Sequence, residues 1–164
     1  MRKLKIFFLV ALAIGLVSVI GCSKSNNNNS SPASTDSVLY SAWIPVAMKL
    51  IPNDTNYQQN IVAKSITQAV LDKASIMTYV EYQGAVNLPS DFGVFPTFTV
   101  GNINLFAGYD ASGLSFRYVI IPGKALVTSS SGAVQTYTPA QLKNLDYSTL
   151  SKLLNIPASG DKLK

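Results

Sequence analysis

The chain has 164 residues, with 13 basic and 8 acidic side chains, a formal charge of +5, one cysteine and no histidine. One cysteine rules out an intramolecular disulfide, and the lack of histidine rules out Ser-His-Asp and Cys-His catalysis and histidine-ligated zinc. Stability must come from a hydrophobic core, which a chain that is 48% hydrophobic and 13% charged can build within one domain.

The N-terminus sets Met1-Arg2-Lys3-Leu4-Lys5 before an apolar run from Ile6 to Ile20, then Gly21-Cys22. The run is shorter than the about 20 residues a helix needs to cross a bilayer core, and suits the apolar region of a signal. Val19-Ile20-Gly21-Cys22 resembles the lipobox of bacterial lipoproteins, whose peptidase accepts Leu or Val three residues before the cysteine. The resemblance implies that 1–21 is a signal peptide, that cleavage precedes Cys22, and that the Cys22 thiol and amine are acylated. Buried acyl methylenes contribute about 0.8 kcal/mol each, and several chains together anchor a protein stably. Removal of 1–21 leaves 143 residues carrying 10 basic and 8 acidic side chains. The surface is then nearly neutral, with no basic stripe for nucleic acid.

Residues 22–37 are rich in Ser and Asn and read as a disordered tether. A flexible chain of that length spans about 20 Å and would hold the domain clear of the membrane. The domain is expected over 38–157. Val38–Ile44 is strand-like and carries Trp43 before Pro45; Ala47–Ile51 is an apolar patch, and Pro52-Asn53-Asp54 a turn. Tyr57–Val62 reads as a strand. Ser65–Ala74 reads as a short helix with an S-x-x-Q capping box from Ser65 to Gln68 and an apolar stripe of Ile66, Ala69 and Val70. Ile76–Gln83 returns to strand, with Ile76, Thr78, Val80 and Tyr82 on one face and Met77, Tyr79 and Glu81 on the other. Gly84–Gly93 reads as a loop.

Phe95–Val100 and Ile103–Tyr109 flank Gly101-Asn102, a two-residue hairpin signal. Leu114–Ile121 follows the turn Asp110-Ala111-Ser112-Gly113. Its two faces are Leu114, Phe116, Tyr118, Ile120 and Ser115, Arg117, Val119, Ile121, the pattern of a central strand. These three runs are expected to form one antiparallel meander. Ala125–Ser129 and Ala133–Tyr137 suggest a further hairpin. Thr138-Pro139-Ala140-Gln141 carries a capping box with Pro at the first helical position, and Asp146 caps a second turn bearing Leu150, Leu153 and Leu154. Residues 158–164 are expected to be a flexible tail. The fold expected is mainly β: an antiparallel β-sandwich-like domain with one short internal helix and C-terminal helical turns. An open sheet with helices on one face is the alternative.

Motifs for chemistry are sparse. Gly123-Lys124-Ala125 lacks the phosphate-loop spacing, and no G-x-S-x-G occurs. Thr149 and Lys152 are ordinary helix positions, and Asp110-Ala111-Ser112-Gly113 offers too few oxygens for calcium. The sequence thus implies no cofactor and no metal site. The eight acids fall singly along the chain, so paired-carboxylate hydrolysis would require folding to assemble a pair. Aromatics are the remaining candidates: Trp43 and Tyr79 could offer ring faces to a sugar or pack in the core. Arg117 could clamp a carboxylate or carbohydrate; it could equally pair with Glu81 or cap backbone carbonyls.

Phe116-Arg117-Tyr118-Val119-Ile120-Ile121-Pro122-Gly123 resembles a motif of small lipoproteins of Bacteroidota. Tyr40-Ser41-Ala42-Trp43, the segment Ile66 to Asp72, the strand Met77 to Tyr82 and Leu153 to Pro157 are similar too. That family brings no established activity. Ser23-Lys24-Ser25-Asn26 lacks the acidic residues common in its surface-exported members, and Ser23 is not the Asp that retains enterobacterial lipoproteins at the inner membrane. The resemblance therefore implies an outer-membrane anchor facing the periplasm. Asp36-Ser37-Val38 matches the phylum's short O-glycosylation pattern at Ser37. The functional expectation is a non-enzymatic envelope protein that binds or scaffolds, held to the membrane by acyl chains, with an unidentified envelope protein or a glycan as partner. A carbohydrate-binding module is the alternative, and a histidine-free hydrolase with paired carboxylates the third reading.

Overall fold

A computed structural model describes residues 33–34, 38–123, 125–128 and 134–163. The signal segment, Cys22, Ser37 and most of the tether lie outside the described residues. The short strands β1 (Ala33–Ser34), β2 (Leu39–Tyr40), β3 (Ile44–Pro45) and β4 (Lys49–Leu50) precede β5 (Tyr57–Val62). Helix α1 (Gln68–Lys73) leads directly into β6 (Ala74–Tyr82), then β7 (Ala85–Asn87) and a 3-10 turn at Pro89–Phe92. The chain continues through β8 (Val94–Thr99), β9 (Asn102–Ala107), β10 (Ser115–Pro122), β11 (Ala125–Thr128) and β12 (Val134–Tyr137). It closes with α2 (Pro139–Lys143) and α3 (Tyr147–Leu153).

The fold is mainly β. One sheet runs β2-β10-β6-β7, with β3 also paired to β10; a second runs β4-β5-β9-β8. Both are antiparallel. Ile61, Val94, Ile103, Leu105 and Ala107 of the second sheet pack against Val80, Phe116, Tyr118 and Ile120 of the first, so the two form a sandwich. A third layer covers the back of the first sheet: Leu142, Leu150, Leu154 and Ile156 pack on Val38, Met77, Tyr79, Val119 and Ile121. β1, β11 and β12 form a third sheet, from which Tyr137 packs against the helical layer.

β10 is the axis of the molecule. Phe116 to Ile121 are all buried, because one face enters the sandwich and the other meets the helical layer. The nearly continuous apolar run from Phe116 to Ile121 is what a strand covered on both faces requires. The meander expected from sequence does not form. β9 has both edges occupied, by β5 and β8, so β10 cannot pair with it and crosses to the other sheet, between β6 and β2. The turn after β8 is also displaced by one residue. Thr99 pairs with Asn102, which leaves Val100-Gly101 as the loop, with Gly101 at φ 77°. The segment expected to be a loop after β6 holds a second hairpin instead. Gln83 and Gly84, at φ 52° and 81°, turn the chain so that β7 pairs back on β6.

The helix near residue 70 starts later than its sequence suggests. Ile66 is buried in the core, and Thr67, not Ser65, is the cap, its Oγ1 accepting from the Val70 N–H at 3.3 Å. Ser65 Oγ lies 3.2 Å from the Tyr118 hydroxyl instead. At the C-terminal end the expected caps form: Thr138 and Gln141 make the capping box of α2, and Asp146 caps α3.

Candidate functional site

The three aromatic and cationic residues singled out in the sequence meet on the back of β10. Between the β2 and β3 pairings, residues 41–43 oppose only residues 117–118 of β10, a bulge that turns the Ser41 carbonyl toward Arg117. Arg117 is fully buried, and its hydrogen-bond partners among the described residues are backbone carbonyls and one tyrosine hydroxyl. Its Nε donates to Ser41 O at 2.7 Å, its Nη1 to the Tyr147 hydroxyl at 2.6 Å and to Pro157 O at 2.8 Å, and its Nη2 to Gly160 O at 3.1 Å. The guanidinium also lies 5.2 Å from the Tyr40 ring centre and 5.4 Å from that of Trp43, within cation-π range. Tyr147 joins the group, its ring 5.6 Å from Trp43 and 4.7 Å from Tyr79. Trp43 Nε1 donates to Ala158 O at 3.0 Å.

This cluster is built to hold the chain's own end. Of the two readings left open, Arg117 caps backbone carbonyls; Glu81 is elsewhere, accepting from the Gly84 N–H. Segment 158–163, expected as a free tail, is tied back here, and Tyr40 and Lys162 exchange backbone hydrogen bonds at 3.2 and 2.8 Å. Tyr79 is buried, and its hydroxyl reaches Met77 Sδ at 3.7 Å. Burial, reinforced by Tyr147 and Asp146, pushes its pKa up to about 12. Arg117 and Tyr79 therefore present no free polar surface to a ligand, and Trp43 is half-covered. Tyr147 and the tail carbonyls carried no sequence signal, and Tyr40 stood out only within the Tyr40–Trp43 segment, because only folding brings them to β10.

Three concave regions stand out among the described residues. A groove of about 710 Å³ at one end of the sandwich is lined by Leu39, Val62, Ala63, Val70 and Leu163, with the Ser65–Tyr118 hydroxyl pair inside. Burial raises the Tyr118 pKa, and Ser65 partly offsets this. A cleft of about 270 Å³ between β7 and the helical layer brings Asp91 and Asp146 to one lining. Asp146, however, spends Oδ1 on the Thr149 N–H and Oδ2 on the Thr149 hydroxyl. That hydroxyl first, and the N–H second, hold its carboxyl below the usual range. A glycosidase acid requires the opposite shift.

The third region is a depression of about 510 Å³ on the outer face of the second sheet, lined by Ala47, Lys49, Gln58, Gln59, Asn60 and Asn104, with Phe95 and Phe106 on the same face outside that lining. Register lays Lys49, Gln58, Phe106 and Phe95 in one row, Asn60, Asn104 and Thr97 in the next, and Val62, Asn102 and Thr99 in the third. These side chains alternate with the buried Ile61, Ile103 and Leu105, so they point outward. Phe95 is 58% and Val62 70% exposed. Asn60 Nδ2 donates to Asn104 Oδ1 at 2.7 Å across the strands. Among the described residues of these three rows, Lys49 is the one charged side chain. Each strand shows the alternation of a half-covered strand, but the aromatic and amide rows emerge only once the register is known.

Among the described residues, no cluster of three or more Asp, Glu, Cys or His side chains could hold a metal, and no helix is long and apolar enough to cross a membrane. No protein-family model matches the chain, and no curated protein and no solved structure matches it.

Proposed function

We propose that the protein is a lipid-anchored, non-catalytic binding module of the cell envelope that uses the outer face of the β4-β5-β9-β8 sheet. The observation that carries this reading is the placement of that face relative to the tether. Val38, where the domain begins, packs in the helical layer behind the first sheet. The second sheet lies on the opposite side of the sandwich, so its outer face looks away from the chain's entry point. A module tethered through Cys22 would present this face to the periplasm and its back to the membrane.

Two experiments test the proposal. Metabolic labelling with palmitate should mark the wild-type chain and not Cys22→Ser, and the variant should leave the membrane fraction. A photocrosslinker placed at Phe95 of the anchored protein in intact envelopes should capture a specific component, while one placed at exposed Tyr82 on the first sheet should not. Equal or absent capture at the two positions rejects the face.

A further inference from the structure

We propose that the outer face of the second sheet binds an uncharged oligosaccharide chain. This inference rests on the binding-module reading above and names its ligand class. Three properties of the face argue for it.

The first is stacking. Phe95 and Phe106 are register partners on neighbouring strands, which sit about 4.8 Å apart, so two aromatic side chains stand on the same face of the sheet, Phe95 58% exposed. Sugars offer apolar C–H faces to such rings.

The second is hydrogen bonding beyond the aromatic pair. Each side-chain amide offers a carbonyl acceptor and two N–H donors. The Asn60–Asn104 bond uses one donor and one acceptor. The Asn60 oxygen and the Asn104 NH₂ remain for a ligand, while the Thr97 hydroxyl donates to Asn104 O at 3.4 Å and can only accept. Paired donors and acceptors at fixed spacing match the adjacent hydroxyls of a sugar ring.

The third is charge. The face carries no acid, and Lys49 stands at its rim on the short edge strand β4. A uronate or phosphate-bearing polymer would find one cation, at the margin, where a salt bridge contributes little. A protein partner would call for an apolar centre within a polar rim. Here the order is reversed, with amides in the middle row and apolar groups, Phe95 and Val62, in the outer ones.

The test uses the full acylated chain in detergent micelles on a printed panel of neutral hexose, pentose and N-acetylhexosamine oligosaccharides, with uronate oligosaccharides beside them. Retention should be confined to neutral glycans. Phe95→Ala and Asn104→Ala should each weaken it about tenfold, the loss of one stacking or hydrogen-bonding contact. Phe95 is more than half exposed, so its variant should melt with the wild type. Retention of uronate glycans alone, no retention, or retention unchanged in both variants overturns the inference. The Phe95 photocrosslink separates the two levels. A blank panel with a captured envelope protein, or a captured second copy of this chain, rejects the glycan and keeps the binding face. A blank panel with no capture rejects both.

Discussion

Replacement of Arg117 tests the central argument about the fold, that one buried cation fastens the end of the chain to its middle. Arg117→Ala removes donors from five acceptors, the Ala158 carbonyl at 3.4 Å among them, and the side chain that fills the space between Tyr40 and Trp43. The acceptors do not suffer equally. Ser41 is 1% exposed, so its carbonyl loses a charged donor with no water to replace it, at a cost of about 1–3 kcal/mol. Pro157 and Gly160 are exposed, so their carbonyls can rehydrate once the segment detaches, at about 1 kcal/mol each. With the lost packing included, Arg117→Ala should destabilise by about 4 kcal/mol, a large part of the 5–15 kcal/mol typical of a domain. Arg117→Met keeps most of the packing and should recover about half of that. Urea denaturation gives both values. Hydrogen exchange supplies the mechanism: the Lys162 N–H, bonded to Tyr40 O, should exchange at the rate of an unstructured peptide in either variant while β6 amides stay protected at lower global stability. A loss below about 1 kcal/mol in Arg117→Ala, or an unchanged Lys162 rate, would refute the clasp.

Three further outcomes follow from local chemistry. The Asp146 carboxyl is depressed by its bonds to Thr149, so the stability it lends is present above the ordinary carboxylate range and is lost as pH falls through its folded-state pKa; thermal melts of Asp146→Asn should show a flatter acid limb than wild type. Tyr79 is raised to about 12, so its neutral form is favoured by folding and that contribution disappears as pH climbs from about 10 toward 12; ultraviolet titration of wild type against Tyr79→Phe should show one tyrosine ionising late. Gly101→Ala meets no atom within 4 Å but must hold φ near 77°, so chemical denaturation should register a loss of about 1 kcal/mol from backbone strain alone.

Local signals in the sequence were reliable where the physics is local. The strand Tyr57–Val62 and the caps at Thr138 and Asp146 depend on neighbours within a few residues, and they form where the chain predicts them. The two faces of β6 and of β10 were legible for the same reason, since period-two alternation is written along a single strand. Partner choice was not. Nothing in residues 95–121 announces that β5, some 40 residues earlier in the chain, claims the edge of β9 that a meander would leave for β10. The sequence could raise Trp43, Tyr79 and Arg117 as a group, but aromatic and cationic side chains suit a ligand site and a buried clasp equally well. The choice was made by residues 157–160, whose carbonyls have no signature of their own. The outer sheet face was hidden for a related reason: Phe95, Asn104 and Asn60 are ordinary surface residues until register sets them side by side.

The clasp also bears on when the domain can finish folding. A chain delivered N-terminus first presents Ser41 well before β10, but the acceptors at Pro157 and Gly160 emerge 40 and 43 residues after Arg117. Until then β10 carries a charged side chain that cannot be buried at low cost, and the helical layer that would cover it has only just appeared. The sandwich side of β10 can assemble from residues already present, whereas its back must wait. Burial of the back of β10 is thus coupled to the arrival of residues 157–160, and a product cut short before them would keep an open, charged seam on its central strand.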